Sequence, residues 1–191
     1  MRARLQNLSS LGNQESAASG FSTFGSTGTV DGAGLGLRLN DVGPTRLGAR
    51  DLVELAAQRR LNALDGDVGK FRPGEAGVAA EMETYLGGRL GRAPAGTSAD
   101  FIVESGPFAG ARMDLKLTPD TFATANKLNT YFDKTFPKFS ESFAAKLARP
   151  DGVDLMPFDT GFLTPSNSQR LFDFVDTLPL SSQRKIIYLG Q

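Results

Sequence analysis

Residues 99–119 read ADFIVESGPFAGARMDLKLTP, and the way this stretch folds decides the rest. Side chains along a strand alternate between its two faces. Over 99–104 that alternation puts Asp100, Ile102 and Glu104 on one face and Phe101 and Val103 on the other. Over 111–117 it puts Arg112, Asp114 and Lys116 on one face and Met113, Leu115 and Leu117 on the other. Between the two runs, GPFAG (106–110) supplies turn residues. The stretch predicts a β-hairpin with one apolar and one mostly polar face. Paired in the usual way, the polar face gathers Asp100, Asp114 and Lys116.

Outward from the hairpin, apolar periodicity predicts a helix over about 74–90. A long helical stretch follows over 120–148, with a break or restart at Pro137. VDLMPF (153–158) reads as a strand, and SNSQRLFDFVDTL (166–178) as a helix with Ser166 or Asn167 as N-cap. RKIIYL (184–189) closes as a strand rich in branched residues. The expected fold class is α/β, with a small mixed sheet flanked by helices. Residues 1–45 are rich in Gly, Ser, Thr and Asn and read as a flexible leader. GAGLGLRL (32–39) has the glycines of a phosphate loop but no Lys-Ser/Thr, so linker is the better reading. RLGARDLVELAAQRRLNAL (46–64) is amphipathic, with Val53, Ala57, Leu61 and Leu64 on one face. DGDVGKFRPG (65–74) punctuates the chain, and the domain boundary is placed near residue 70: leader and helix over 1–70, main domain over 71–191.

Composition narrows the chemistry. The 191 residues carry 21 Lys and Arg against 21 Asp and Glu. Net neutrality argues against coating nucleic acid by bulk charge, yet leaves local basic patches open. With no cysteine and no histidine, thiolate zinc sites, thiol nucleophiles and histidine bases are all excluded. Hydrolytic chemistry has to run on carboxylates, lysine, hydroxyls and a hard metal. No apolar run approaches the roughly 18 residues of a bilayer span. The start, MRARLQNLSSLGNQ, has no continuous apolar segment of signal-peptide type. No stable membrane insertion is expected.

The helix before the hairpin, GEAGVAAEMETYLGGRL (74–90), carries Glu75, Glu81 and Glu83. Val78, Met82, Tyr85 and Leu86 form its apolar arc. Glu81 borders that arc, where an unsatisfied acid is unfavourable, so it is the acid expected to point toward the sheet. Glu75 sits in the first turn, where the helix dipole already favours an acid. Carboxylates converging from this helix and the hairpin suit Mg²⁺ or Mn²⁺, which take oxygen ligands, better than Zn²⁺. Such an ion lowers the pKa of a bound water and stabilises phosphoryl charge. A lysine beside it orients the water or neutralises the transition state.

An acid on a helix, an acid at the start of a strand and Asp114-Leu115-Lys116 on the paired strand resemble the motifs of the PD-(D/E)xK nuclease superfamily. Ala99-Asp100 stands where many members have Pro-Asp. More narrowly, GEAGVAAEMETYL (74–86), the hairpin, VDLMPFDTGFLTP (153–165) and the short final strand resemble the C-terminal toxin domains of contact-dependent growth inhibition proteins and related polymorphic toxins. The resemblance implies Asp100 and Asp114 as metal ligands, Glu81 as a ligand or water-orienting acid, and Lys116 as the catalytic lysine. It implies a nucleic acid substrate, tRNA or DNA, and a cognate immunity protein. It also implies export as the end of a larger protein, with action in the target-cell cytoplasm.

The long helix carries Phe122, Phe132, Phe136, Phe139, Phe143 and Leu147 at core spacing, with Lys127, Lys134, Lys138, Lys146 and Arg149 between them. Lys127, Tyr131, Lys134 and Lys138 share a face if the helix continues through Pro137. With Arg112, these lysines are the candidate phosphate track. A short track on a neutral chain suits compact tRNA better than long duplex DNA. Asp159 and Thr160, at a strand end, are candidates for the edge of the site. A competing reading makes the chain a non-catalytic binding module whose acidic hairpin is an interaction surface.

Overall fold

The computed structural model describes residues 43–46, 55–150 and 152–190. The leader reading of residues 1–42, the glycine run, the amphipathic stretch over 47–54 with Val53, and Asp151 lie outside the described residues.

The hairpin forms as its alternation predicts. Strands β5 (Phe101–Val103) and β6 (Arg112–Met113) pair antiparallel, Phe101 opposite Met113. The amide of Gly110, at φ +90, donates to the Val103 carbonyl and closes the turn. Strand β4 (Leu90–Arg92) extends this sheet on the far side of β5. It falls at the end of a stretch read as helix: α2 (Pro73–Leu86) stops earlier, at Gly87, whose φ of +62 is a left-handed C-cap. Beyond Met113 the chain runs on beside β7 (Met156–Asp159), with bridges Met113–Leu155 and Lys116–Phe158, both parallel. The amides of Asp114 and Lys116 donate to the carbonyls of Leu155 and Pro157. β7 pairs parallel with β8 (Ile186–Leu189), and β8 with β1 (Thr45–Arg46). These contacts join the strands into one mixed sheet, antiparallel on one side and parallel on the other.

Helices cover it. α1 (Leu55–Leu61) lies on α2, with Ala57 and Leu61 buried in the same cluster as Val78, Met82, Phe101 and Met113. Leu64, grouped with them by periodicity, is instead exposed in a small hairpin of β2 (Leu64–Asp65) and β3 (Lys70–Phe71). The long helix α3 (Phe122–Ala148) runs unbroken through Pro137. A capping box at Thr121 and Thr124 starts it. Phe132, Phe143 and Leu147 bury one side against Phe158 and Tyr188, which outweighs the hydrogen bond lost at the proline. α4 (Pro165–Asp176) is capped by Thr164, whose hydroxyl accepts from the Asn167 amide, with Pro165 in the first turn. The cap therefore lies upstream of the two residues expected for it. A short helix, α5 (Leu180–Gln183), leads into β8.

Candidate active site

The polar face of the hairpin is where the chemistry collects. Asp100 precedes β5 and sits beside Asp114 across the strand pair: its amide donates to the Met113 carbonyl at 2.9 Å. Its carboxylate accepts from the Leu115 amide at 2.7 Å. Asp114 is 2% exposed. Lys116 Nζ and Lys146 Nζ stand 2.5 and 2.9 Å from the same oxygen, Asp114 Oδ2. Both contacts are close charge pairs, although neither has the alignment of a good hydrogen bond. Lys146 arrives from the last turns of α3. The sequence marks it only as one cation among several, because its partner is distant in the chain.

A pocket opens beside this cluster, lined by Asp100, Leu115 and Lys116 on the sheet side, Arg72 and Glu75 from the start of α2, and Asp65 and Asp67 from the small hairpin. Leu117, next to Lys116, holds φ +65, a left-handed conformation that is strained for a branched residue. It turns the chain away from β7 at the pocket wall. Gly74 lets the start of α2 approach: a Cβ there would stand 2.5 Å from the Pro119 carbonyl oxygen.

Burial, then the charges of Asp114 and Glu75, push the Asp100 carboxyl up to about 7, while Lys116 and the Leu115 amide pull the other way. The helix acid that reaches Asp100 is therefore Glu75. Its oxygens meet Arg72 at 3.0 Å and Arg92 at 2.6 Å, and Arg92 lies over the Phe101 ring. Glu81, expected here, is buried but does not line the pocket. It lies nearly two helical turns further on, about 9 Å along the axis. Glu75 escaped the sequence reading because a first-turn acid has a ready local explanation, which hid its place at the pocket.

The remaining expectations divide. Lys127, Lys134 and Lys138 are exposed on α3. Arg112 is committed: its Nε donates to Asp154 Oδ2 at 3.2 Å. Asp154 would be raised by its burial, but the hydrogen bonds and charge of Arg112 hold it below the usual carboxylate range. Asp159 and Thr160 do not reach the pocket edge. Asp159 accepts from the Gly161 amide, and the Thr160 hydroxyl donates to the Leu189 carbonyl.

Among the described residues no three carboxylates are arranged to hold a metal ion. Asp100 and Asp114 are two oxygen donors, and two is a usual number for Mg²⁺, which keeps waters in its other positions. The repulsion that raises Asp100 is the kind a cation relieves. Asp100 and Asp114 are the residues that would hold such an ion. No described helix is long and apolar enough to cross a membrane.

The mixed sheet thus sets an acid pair and a lysine on adjacent strands, with Asp100 and Lys116 facing a pocket at a helix start. The family model of the CdiA C-terminal tRNase domain matches residues 73–189, and the chain belongs to that family. It is 47% identical over 146 residues to the tRNA nuclease CdiA of Burkholderia pseudomallei. That match covers 76% of this chain and 11% of the relative, so the chain spans about a tenth of that protein. A solved structure is also similar: the CdiA-CT toxin from Burkholderia pseudomallei E479 in complex with its cognate CdiI immunity protein. The TM-score is 0.57 and the identity 45%, over 61% of this chain and 98% of that one.

Proposed function

We propose that the chain is a metal-dependent endonuclease that cleaves phosphodiester bonds of tRNA, delivered into the cytoplasm of competing bacteria as the end of a larger CdiA protein. The observation that supports the catalytic assignment is that Asp100, Lys116 and Glu75 line one pocket with Asp114 buried beside them, where burial and then the charges of Asp114 and Glu75 push the Asp100 carboxyl to about 7. The family match and the relative's name support tRNA as substrate. In this reading the site is of PD-(D/E)xK type, with Asp100 and Asp114 holding Mg²⁺ or Mn²⁺. The ion supplies an activated water and charge stabilisation at the phosphoryl group. Lys116 lines the pocket and places its ammonium where phosphate charge develops. Glu75, held by Arg72 and Arg92, fixes the start of α2 against the acid pair. Lys127, Lys134 and Lys138 hold the RNA backbone as point charges. A cognate immunity protein blocks the domain in the producing cell, as the complex of the similar toxin suggests. The binding-module alternative has little support, because Asp114 is buried under α3 and offers no surface to a partner.

Purified protein incubated with total tRNA and with plasmid DNA, in Mg²⁺, Mn²⁺ or EDTA, tests this beside Asp114→Ala. Cleavage of tRNA that needs metal and vanishes in the variant is the expected result. Cleavage that persists in Asp114→Ala would remove the hairpin from the mechanism, and cleavage that persists in EDTA would remove the metal.

A further inference from the structure

The structure places two ammonium groups on one carboxylate oxygen. Lys116 already balances Asp114, and Lys146 adds a second cation 2.9 Å from the same atom. Two like charges held this close repel. An additional anion beside them relieves that repulsion. The side chain of Lys146 is 25% exposed and that of Asp114 3%. Lys146 also belongs to the helix that exposes Lys127, Lys134 and Lys138. Lys146 lies about 28 Å further along the axis than Lys127 and about 100° around it, on the flank between the lysine stripe and the buried face.

We propose that Lys146 is a second catalytic lysine: it contacts an oxygen of the RNA phosphate beside the one that Lys116 serves, leaving Asp114 Oδ2 to do so. This rests on the reading of the chain as an RNA nuclease. The phosphate group takes the place of the shared carboxylate oxygen as the anion for this ammonium, while Lys116 stays on Asp114. A lysine that only tied α3 to the sheet would stay on Asp114 throughout and make no contact with RNA.

Salt dependence separates the two roles. Each phosphate contact made by a lysine contributes about 0.7–0.9 to the slope of log K against log salt concentration. Binding of tRNA is measured across a salt series in the Asp100→Asn background, where cleavage is stopped and the Lys146–Asp114 pair is intact. Adding Lys146→Met should lower the slope by about 0.7–0.9, whereas Lys146→Arg should retain it. In the parent protein Lys146→Met should also lower kcat by about 10²-fold with the fold intact by circular dichroism. If Lys146→Met does not fold, Lys146→Gln takes its place in both measurements. An unchanged slope with a lowered melting temperature would overturn the proposal and leave Lys146 as a structural tie. The parent protein's cleavage of tRNA is scored separately. If the parent does not cut tRNA, the nuclease reading fails; if it does and the slope is unchanged, only the Lys146 proposal fails.

Discussion

A single carboxyl reports the state of the site. Asp100 titrates near 7 in the folded protein against 3.8 unperturbed, so the native state holds its proton more tightly than the unfolded chain does. The stability linked to protonated Asp100 is complete below 3.8 and is lost as pH rises through about 7. Asn in its place keeps the acceptor for the Leu115 amide and removes the charge. In EDTA at pH 8, Asp100→Asn should stabilise the protein by on the order of 1–3 kcal/mol, with the gain shrinking toward pH 4, read from denaturant midpoints. A loss of stability at pH 8 would contradict the crowding. Mg²⁺ should raise the melting temperature of the parent protein at pH 8 and leave Asp100→Asn unmoved. The two helix acids separate in the same way. Glu75→Gln should lower tRNA cleavage by about 10²-fold, while Glu81→Gln should shift the melting temperature and spare kcat, measured side by side at one pH. The placement of Asp100, Asp114 and Lys116 side by side was legible because period two is a local property that survives folding. Glu75 was not, because the charges that give it meaning, Arg92 and Asp100, come from other elements.

At the scale of the element, α3 does two jobs with two faces. Its inner face stacks Phe132, Phe143 and Leu147 on the sheet, a pattern that helical spacing announces. Its outer face presents Lys127, Lys134 and Lys138 within an arc of about 40°. Because these lysines are exposed and do not line the pocket, the proposed function gives them a part in binding rather than in the chemical step. Replacing all three with alanine should lower the salt slope of tRNA binding by about 2, raise KM and leave kcat near that of the parent. A fall in kcat with unchanged KM would place the stripe in the catalytic step instead. The short strands β1 and β4 escaped the sequence because two or three residues, one of them Gly91, carry no usable periodicity. Their pairing partners, not their own composition, make them strands.

For the whole molecule, the region that defines the family and the region that folds are not the same. The family match begins at residue 73, and the boundary read from the sequence falls near residue 70. Yet the packed body starts earlier. Thr45 and Arg46 continue the parallel sheet beside Ile187 and Tyr188. The Arg46 guanidinium lies 4.3 Å from the Phe172 ring centre. Leu61 is 2% exposed and Ala57 6%, and Arg60 donates to the Leu90 carbonyl at 2.8 Å while pairing with Glu83. Full burial of one leucine contributes about 1.5–3 kcal/mol. Removal of everything before residue 73 also uncovers the α2 face on which α1 lies. A fragment of residues 73–191 should therefore lose about 3 kcal/mol or more relative to the full chain. Urea unfolding measures it directly, through a lower midpoint. Equal midpoints would mean that β1 and α1 rest on the surface without stabilising it, and that the family boundary is also the folding boundary. A lower midpoint would mean that the toxin domain carries its own upstream segment as part of the core, so that cleavage of the chain near residue 70 weakens the domain that it frees.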